Sequence, residues 1–411
     1  MKPLKLLFLL ILSFPASAQI QLGADIDGEA ANNRSGWSVS LSSDGTIIAI
    51  GAPYNDGNGS TSGHVRVYEY TSGSWSQLGA DIDGEAASDR SGFSVSLSSD
   101  GTVVAIGATR NAGNGNNAGH VRVYEYTSGS WTQIGADIDS EATGDVSGSS
   151  VSLSSDGTIV AIGAPYNDGT GTDAGHVRVY EDSSGTWVQL GADIDGEAAD
   201  DQSGCLVSLS SDGTILAVGA IFNDGNGSNA GHVRVYEDSS GTWVQLGADI
   251  DGEAAGDFSG YRVSLSSDGS TIAIGAPGNS GNGSYAGHVR LYEYTSGSWS
   301  QLGADIDGEA AGDRSGHSVS LSSDGTILAV GAIFNDGNGS NAGHVRVYED
   351  SSGTWVQLGS DIDGEAAGDW LGYSVSLSSD GTIVAIGARY NDGNGTDAGH
   401  VRAYSIPIPI C

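Results

Sequence analysis

The hydrophobic pattern of this chain repeats every 56 residues, and inside each period it changes spacing four times. In the first period Trp37-Ser-Val-Ser-Leu41 alternates apolar and polar positions, and Thr46 to Ala52 is a mostly apolar run rich in β-branched residues. His64-Val-Arg-Val-Tyr68 alternates again, as does Trp75-Ser-Gln-Leu78. Alternation with period two predicts half-buried strands, and a short continuous apolar run predicts a strand covered on both faces. No segment carries helical spacing, so each period encodes four strands. Ser43-Asp44-Gly45 joins the first two and Thr71-Ser72-Gly73 the last two, the composition that tight hairpins need where φ is positive. The other connections are long: Pro53 to Gly63 between strands two and three, and Ala80 to Gly92 leading into the next period.

The segment Leu-Gly-Ala-Asp-Ile-Asp, with single changes, recurs around Gly23, Gly79, Gly135, Gly191, Gly247, Gly303 and Gly359 without insertion or deletion. Such a repeat marks an array of supersecondary units that bury their faces against one another. Four antiparallel strands taken seven times predict an all-β chain, a seven-bladed β-propeller of four-stranded antiparallel blades. A right-handed β-helix has shorter coils and lacks tight antiparallel hairpins. No linker or composition shift interrupts the beat, so residues 19–411 read as one domain. The seventh unit stops after its third strand, His400 to Tyr404, while Gln19-Ile-Gln-Leu22 stands in the register of Trp75-Ser-Gln-Leu78 with no three strands before it. The N-terminal strand is therefore expected to complete blade seven and close the ring. The tail Ile406-Pro-Ile-Pro-Ile410 alternates proline into an apolar run, which suits an outer edge and not a central strand.

Residues 1–18 stand apart: Lys2 and Lys5, an apolar run from Leu6 to Leu12, and Pro15-Ala-Ser-Ala18 predict a signal peptide cleaved after Ala18. The expected product is secreted or periplasmic, with no apolar stretch long enough for membrane insertion. Losing the leader removes every lysine and leaves 13 Arg against 51 Asp and Glu, a formal charge near −38. Such a surface repels nucleic acid and anionic membranes. It suits divalent cations, cationic partners or salty surroundings, and it serves solubility on its own. Cys205 and Cys411 supply no pair within any repeat, which argues against a disulfide framework.

The stretch Gly36-Trp-Ser-Val-Ser-Leu-Ser-Ser-Asp-Gly-Thr-Ile-Ile-Ala-Ile-Gly-Ala-Pro53, followed by Gly63-His-Val-Arg-Val-Tyr68, resembles the FG-GAP repeat of integrin α-subunits and related bacterial secreted proteins. The likeness runs through the whole chain after the leader and implies the propeller fold, with adhesion or glycan binding among the family's functions. Two departures qualify it. The Phe of the name-giving pair is Ser35 here and Leu371 in the last repeat, and Pro of Gly-Ala-Pro is kept only at Pro53, Pro165 and Pro277. The calcium loop that many members carry between strands one and two is cut to Ser-Asp-Gly, so calcium is not carried over at that position.

A different acidic loop occurs in each repeat. Asp25, Asp27 and Glu29, with Asn33, become Asp81, Asp83, Glu85 and Asp89 in the second unit. The series continues with Asp193, Asp195, Glu197 and Asp201; Asp249, Asp251, Glu253 and Asp257; Asp305, Asp307, Glu309 and Asp313; and Asp361, Asp363, Glu365 and Asp369. Oxygen ligands at offsets 1, 3, 5 and 9 suit Ca²⁺ if the loop turns them to one point; carboxylates that cap backbone N–H groups give the same text. Asn55-Asp-Gly-Asn-Gly59 reads as turn chemistry, and Asn58-Gly-Ser60 fits a glycosylation acceptor. His64 and Trp75 recur once per unit, which favours structural roles over a catalytic centre, since catalysis needs unlike groups at one place; the tryptophans could also serve as sugar platforms.

The repeats disagree at a few positions. Trp37 is replaced by Phe93, Ser149, Cys205, Tyr261, His317 and Tyr373; Arg34 by Arg90, Val146, Gln202, Phe258, Arg314 and Trp370; Tyr54 by Arg110, Tyr166, Phe222, Gly278, Phe334 and Tyr390. In an up-and-down blade the two long connections emerge on one face, so these side chains share a rim. Aromatic residues and Arg are the types that anchor interfaces, although loops also drift without selection. The expectation is a non-enzymatic recognition or adhesion module that binds a glycan or protein ligand on the long-loop face. The alternatives are a propeller-type polysaccharide lyase or hydrolase, or a purely structural envelope or matrix protein.

Overall fold

The computed structural model describes residues 19–407, and among these residues every regular element is a strand. The predicted leader and the end of the tail, with Cys411, lie outside the described residues. In the first blade Ser38–Leu41, Ile47–Ala52, His64–Thr71 and Ser74–Gln77 pair antiparallel in chain order. The first strands of all seven blades neighbour one another around the axis. The second strand is the most deeply covered, Ile48 and Ala49 having no exposure at all, which is why its sequence does not alternate.

One detail differs from the sequence reading. The outermost strand is interrupted rather than finished at Gln77: after a bend, Ile82–Asp83 returns to the same partner, with Val65 opposite Ile82 and His64 opposite Asp83. The first half of the acidic segment is thus an edge strand, and only its remainder crosses to the next blade. The crossing then runs beside the strand two-to-three connection, joined by Ser88 N to Ser60 O, Arg90 N to Thr61 O and Ser91 N to Ser62 O. Both long connections consequently form one layer on one face.

Closure follows the predicted route. Ile20–Gln21 pairs with His400–Ser405, and Ile26–Asp27 continues the same edge. Each tryptophan of the outer strand donates its Nε1–H to the preceding blade, Trp75 to Leu22 O at 2.8 Å and Trp131 to Leu78 O at 2.8 Å. Gln19 occupies the seventh indole position and substitutes for it, its Nε2 donating to Leu358 O at 2.9 Å.

The hydrophobic core lies between blades. One cluster joins Ala49, Val65, Val67 and Ile82 of blade one to Val95, Leu97, Val104 and Ile106 of blade two, and the cluster of Ile26, Val401 and Ala385 with Leu41, Ile48 and Ile50 closes the circle. Near the axis the blades approach so tightly that a Cβ on Gly51 would strike the carbonyl oxygen of Gly92, which explains the glycine before Ala52. At the opposite end the Ser-Asp-Gly turns form a ring of backbone hydrogen bonds: Ser43 N donates to Ser99 O, Ser99 N to Ser155 O, and so on until Ser379 N donates to Ser43 O.

Removing residues 19–27 uncovers the edge of His400–Ser405 and half the junction between blades seven and one, and is expected to lower Tm by roughly 10 °C or more. Replacing Gln19→Trp restores the seventh indole and is expected to raise Tm by a few degrees. Equal melting of the truncated and parent proteins in calorimetry would contradict the closure.

Asp44 and its six equivalents are pushed up by burial, but hydrogen bonds from Thr46 N, Ser42 Oγ and Thr46 Oγ1 outweigh this and hold the carboxyl below its ordinary 3.8. Because the folded pKa is depressed, the stabilisation is complete above the unfolded value and is lost as pH falls from the ordinary 3.8 through the folded one. Urea titrations across that window should show a shallower loss of stability in a variant carrying Asp324→Asn and Asp380→Asn; an unchanged slope would count against it.

Candidate functional site

The axial channel has two unlike mouths. At the Ser-Asp-Gly end, Leu41, Ser42, Ser43 and their equivalents enclose about 150 Å³ with the same residues in every blade. At the long-loop end the cavity is about 730 Å³, within the range of ligand sites. The side chains that vary between repeats gather here.

Local backbone geometry aims them. Arg34, Arg90, Val146, Gln202, Phe258, Arg314 and Trp370 all hold φ between 53° and 59°. That left-handed conformation is unfavourable for bulky side chains. It is fixed from outside, Arg34 N donating to Asp397 O and Trp37 N to Arg34 O. Glycine would relax the position, yet no repeat uses it.

Around the mouth Trp37 lies 5.5 Å from Tyr54, 5.3 Å from Phe93 and 5.2 Å from Tyr373, ring centre to ring centre. His317 lies between Tyr261 at 5.1 Å and Tyr373 at 5.0 Å. Trp370 packs edge-on against Phe334 and Tyr390, and Phe222 against Phe258. Tyr166, 40% exposed, and Cys205 line the cavity wall. Burial pushes the Cys205 thiol up to about 11, so it is no nucleophile at neutral pH.

The arginines divide into two sets. Seven belong to the repeat: Arg66 is buried, donates from Nη2 to Asp27 O at 2.7 Å, sits 3.8 Å from Glu29 Oε1 and lies against Tyr68, and its equivalents do the same. They clamp each blade to the preceding crossing. The other six, Arg34, Arg90, Arg110, Arg262, Arg314 and Arg389, belong to the mouth. Arg34 and Arg90 flank Tyr54, their guanidinium carbons 4.3 and 4.7 Å from the ring centre. Arg389 lies 3.8 Å from the ring of Tyr373 and 4.4 Å from that of Trp37. Among the described residues all arginine–carboxylate pairs involve the repeat set, and none involves these six. Their field is felt locally: burial first, then Arg262, Arg389 and Arg314, hold His317 well below its ordinary pKa. Arg262 and Arg389 were not among the rim residues expected from sequence. The available signal was departure from the repeat, Arg262 standing where Ser38 does and Arg389 where Pro53 does.

The acidic loops do not gather their own carboxylates. Asp81 stays on blade one, 3.6 Å from His64 Nδ1, and Asp83 remains close enough that burial and then Asp81 raise its pKa. Glu85 reaches blade two, 3.9 Å from His120 Nδ1 and 3.8 Å from Arg122 Nη1. Asp89 is buried and accepts from Ala86 N and Asn111 Nδ2. Asp201, Asp257, Asp313 and Asp369 repeat that capping role. Offsets 1, 3, 5 and 9 thus serve two blades instead of one centre, because strand pairing of Ile82–Asp83 splits the loop. The shortened Ser-Asp-Gly turn, where calcium was not expected, offers no free ligand set: its one carboxylate, Asp44, already takes three hydrogen bonds. Each buried His of the repeat faces carboxylates, as His64 does Glu29 and Asp81.

Residues 24–68, 305–348 and 362–404 match the FG-GAP repeat family. No curated protein matches the sequence. Among solved structures, a candidate 6-phosphogluconolactonase from Bacteroides uniformis ATCC 8492 aligns with a TM-score of 0.55 and 14% identity over 82% of this chain and 88% of its own. Kuenenia stuttgartiensis hydrazine synthase aligns with a TM-score of 0.55 and 13% identity over 89% and 93%. At these identities the likeness is one of fold. Three segments thus carry the FG-GAP repeat signature, and the same 56-residue beat runs through all seven blades of a β-propeller.

Proposed function

We propose that this protein is an exported recognition module whose long-loop channel mouth binds an anionic ligand, an acidic glycan in particular. The observation that carries the reading is the gathering of all six arginines outside the repeat at one mouth of a chain with 51 acidic residues, none of the six paired to a carboxylate. Holding like charges together without counter-charges raises the energy of the free protein, and an anion relieves it. Rings of Trp37 and Tyr54 beside those guanidinium groups, with the exposed Tyr166 on the same cavity wall, suit the apolar faces of sugars and fix orientation. The acidic remainder of the surface repels anionic polymers elsewhere, which confines binding to the mouth.

Binding of a carboxylated or sulfated polysaccharide, followed by calorimetry or a glycan array, is expected to weaken at least tenfold, about 1.4 kcal/mol, in the variant Arg34→Ala, Arg90→Ala, Arg110→Ala. Tm should stay close to the parent value, and binding should weaken as salt rises. Changes at Ser43 and Ser99, at the other mouth, should leave affinity alone. Preference for neutral glycans, or catalytic turnover of the polysaccharide, would overturn the reading.

A further inference from the structure

We propose that each blade junction carries a site for a divalent transition-metal ion of the Zn²⁺ class, built from one histidine and two carboxylates contributed by successive crossings. Glu29, His64 and Asp81 form one such group and Glu365, His400 and Asp25 another; in each, one donor atom per residue lies within 4.8 Å of the other two.

The blade that the N-terminal strand completes displays the geometry. His400 Nδ1 lies 3.6 Å from Asp25 Oδ2 and 3.9 Å from Glu365 Oε2. The ring is 1% exposed, and neither of its nitrogens has a hydrogen-bond partner; His344 Nδ1 is likewise unpartnered. A buried, unsatisfied imidazole nitrogen aimed between two carboxylates is costly unless something completes it. The separations are too long for direct hydrogen bonds. They exceed by a few tenths of an ångström the edge of a tetrahedron around a Zn²⁺ with bonds of about 2.0 Å, roughly 3.3 Å. Side-chain rotation supplies that contraction, because the Glu365 and Asp25 side chains are 48% and 29% exposed. The same exposure admits the ion and a completing water.

Donor chemistry selects the metal. Ca²⁺ and Mg²⁺ take oxygen, whereas one imidazole with two carboxylates suits Zn²⁺ and its first-row neighbours. Arg402 does not occupy the position: its Nη1 lies 3.5 Å from the other oxygen of Glu365, and its Nη2 donates to Asp363 O. Two carboxylates and one guanidinium leave the group negative before an ion arrives. Since Glu365 precedes His400 by one blade and Asp25 comes from the N-terminal strand, an ion here would tie the ends of the ring together.

Chelator-stripped full-length protein, dialysed against micromolar Zn²⁺ and assayed by elemental analysis, is expected to retain up to about seven ions per chain and to melt at higher temperature. Ca²⁺ or Mg²⁺ at the same concentration should do neither. Co²⁺ should give the visible absorption of a low-symmetry site with a nitrogen ligand. His400→Gln should remove one equivalent; Asp25→Asn, at a partly exposed carboxylate, should do the same in a chain whose circular dichroism matches the parent. Less than one Zn²⁺ retained, retention by both variants equal to that of the parent, or equal stabilisation by Ca²⁺ would each overturn the proposal.

Discussion

The amide of each Ser-Asp-Gly turn donates to the matching carbonyl of the next blade, and seven such bonds return to their starting point. This closed circuit sets the angle between blades, and everything outward of it inherits that angle. Each hydrophobic cluster belongs to a pair of blades, so no blade has a core of its own. The glycine contact of Gly51 with Gly92 exists only because the innermost strands are held at that spacing. Indoles and buried arginines then repeat the constraint at larger radius, each reaching one blade back.

Upon this near-symmetric frame the long-loop mouth is deliberately uneven in charge. The repeat arginines are neutralised within the blades, and the remaining six are not. A frame that is rigid at the opposite end can hold such a mouth in place, because the strained backbone at Arg34 and its equivalents is fixed by hydrogen bonds from neighbouring segments and not by the side chains it presents. Structure and candidate function are therefore separable by position: identity at one end of the channel, variation at the other.

Much of this was legible in the residues alone. The period, the four strands, the N-terminal closure and the shared face of the long connections follow from alternation, turn composition and register. The rim positions followed from comparing one repeat with the next. Three things were not legible. The break after Gln77 depends on Ile82–Asp83 finding His64–Val65 again, a pairing no local pattern announces. The partition of Asp81, Glu85 and Asp89 between blades is a consequence of that break. Total charge hid the arginine cluster, because thirteen arginines among fifty-one acids look uniformly outnumbered until the buried seven are set aside.

Gln19 at the closing strand bears on how the ring assembles. The six other outer strands carry an indole and lie a two- to four-residue turn away from their partners, so each can seat as soon as its hairpin exists. The N-terminal strand shares their Gln-Leu-Gly-Ala-Asp-Ile-Asp text and could occupy any of seven equivalent edges, but it brings an amide where they bring a tryptophan. In that competition the local, better-anchored strand displaces it at every edge except the one whose own outer strand the repeat omits. The seam is thus the one outer edge anchored by an amide in place of an indole, and the one whose pairing must wait for the last blade to be made, so the ring closes by its longest-range contact.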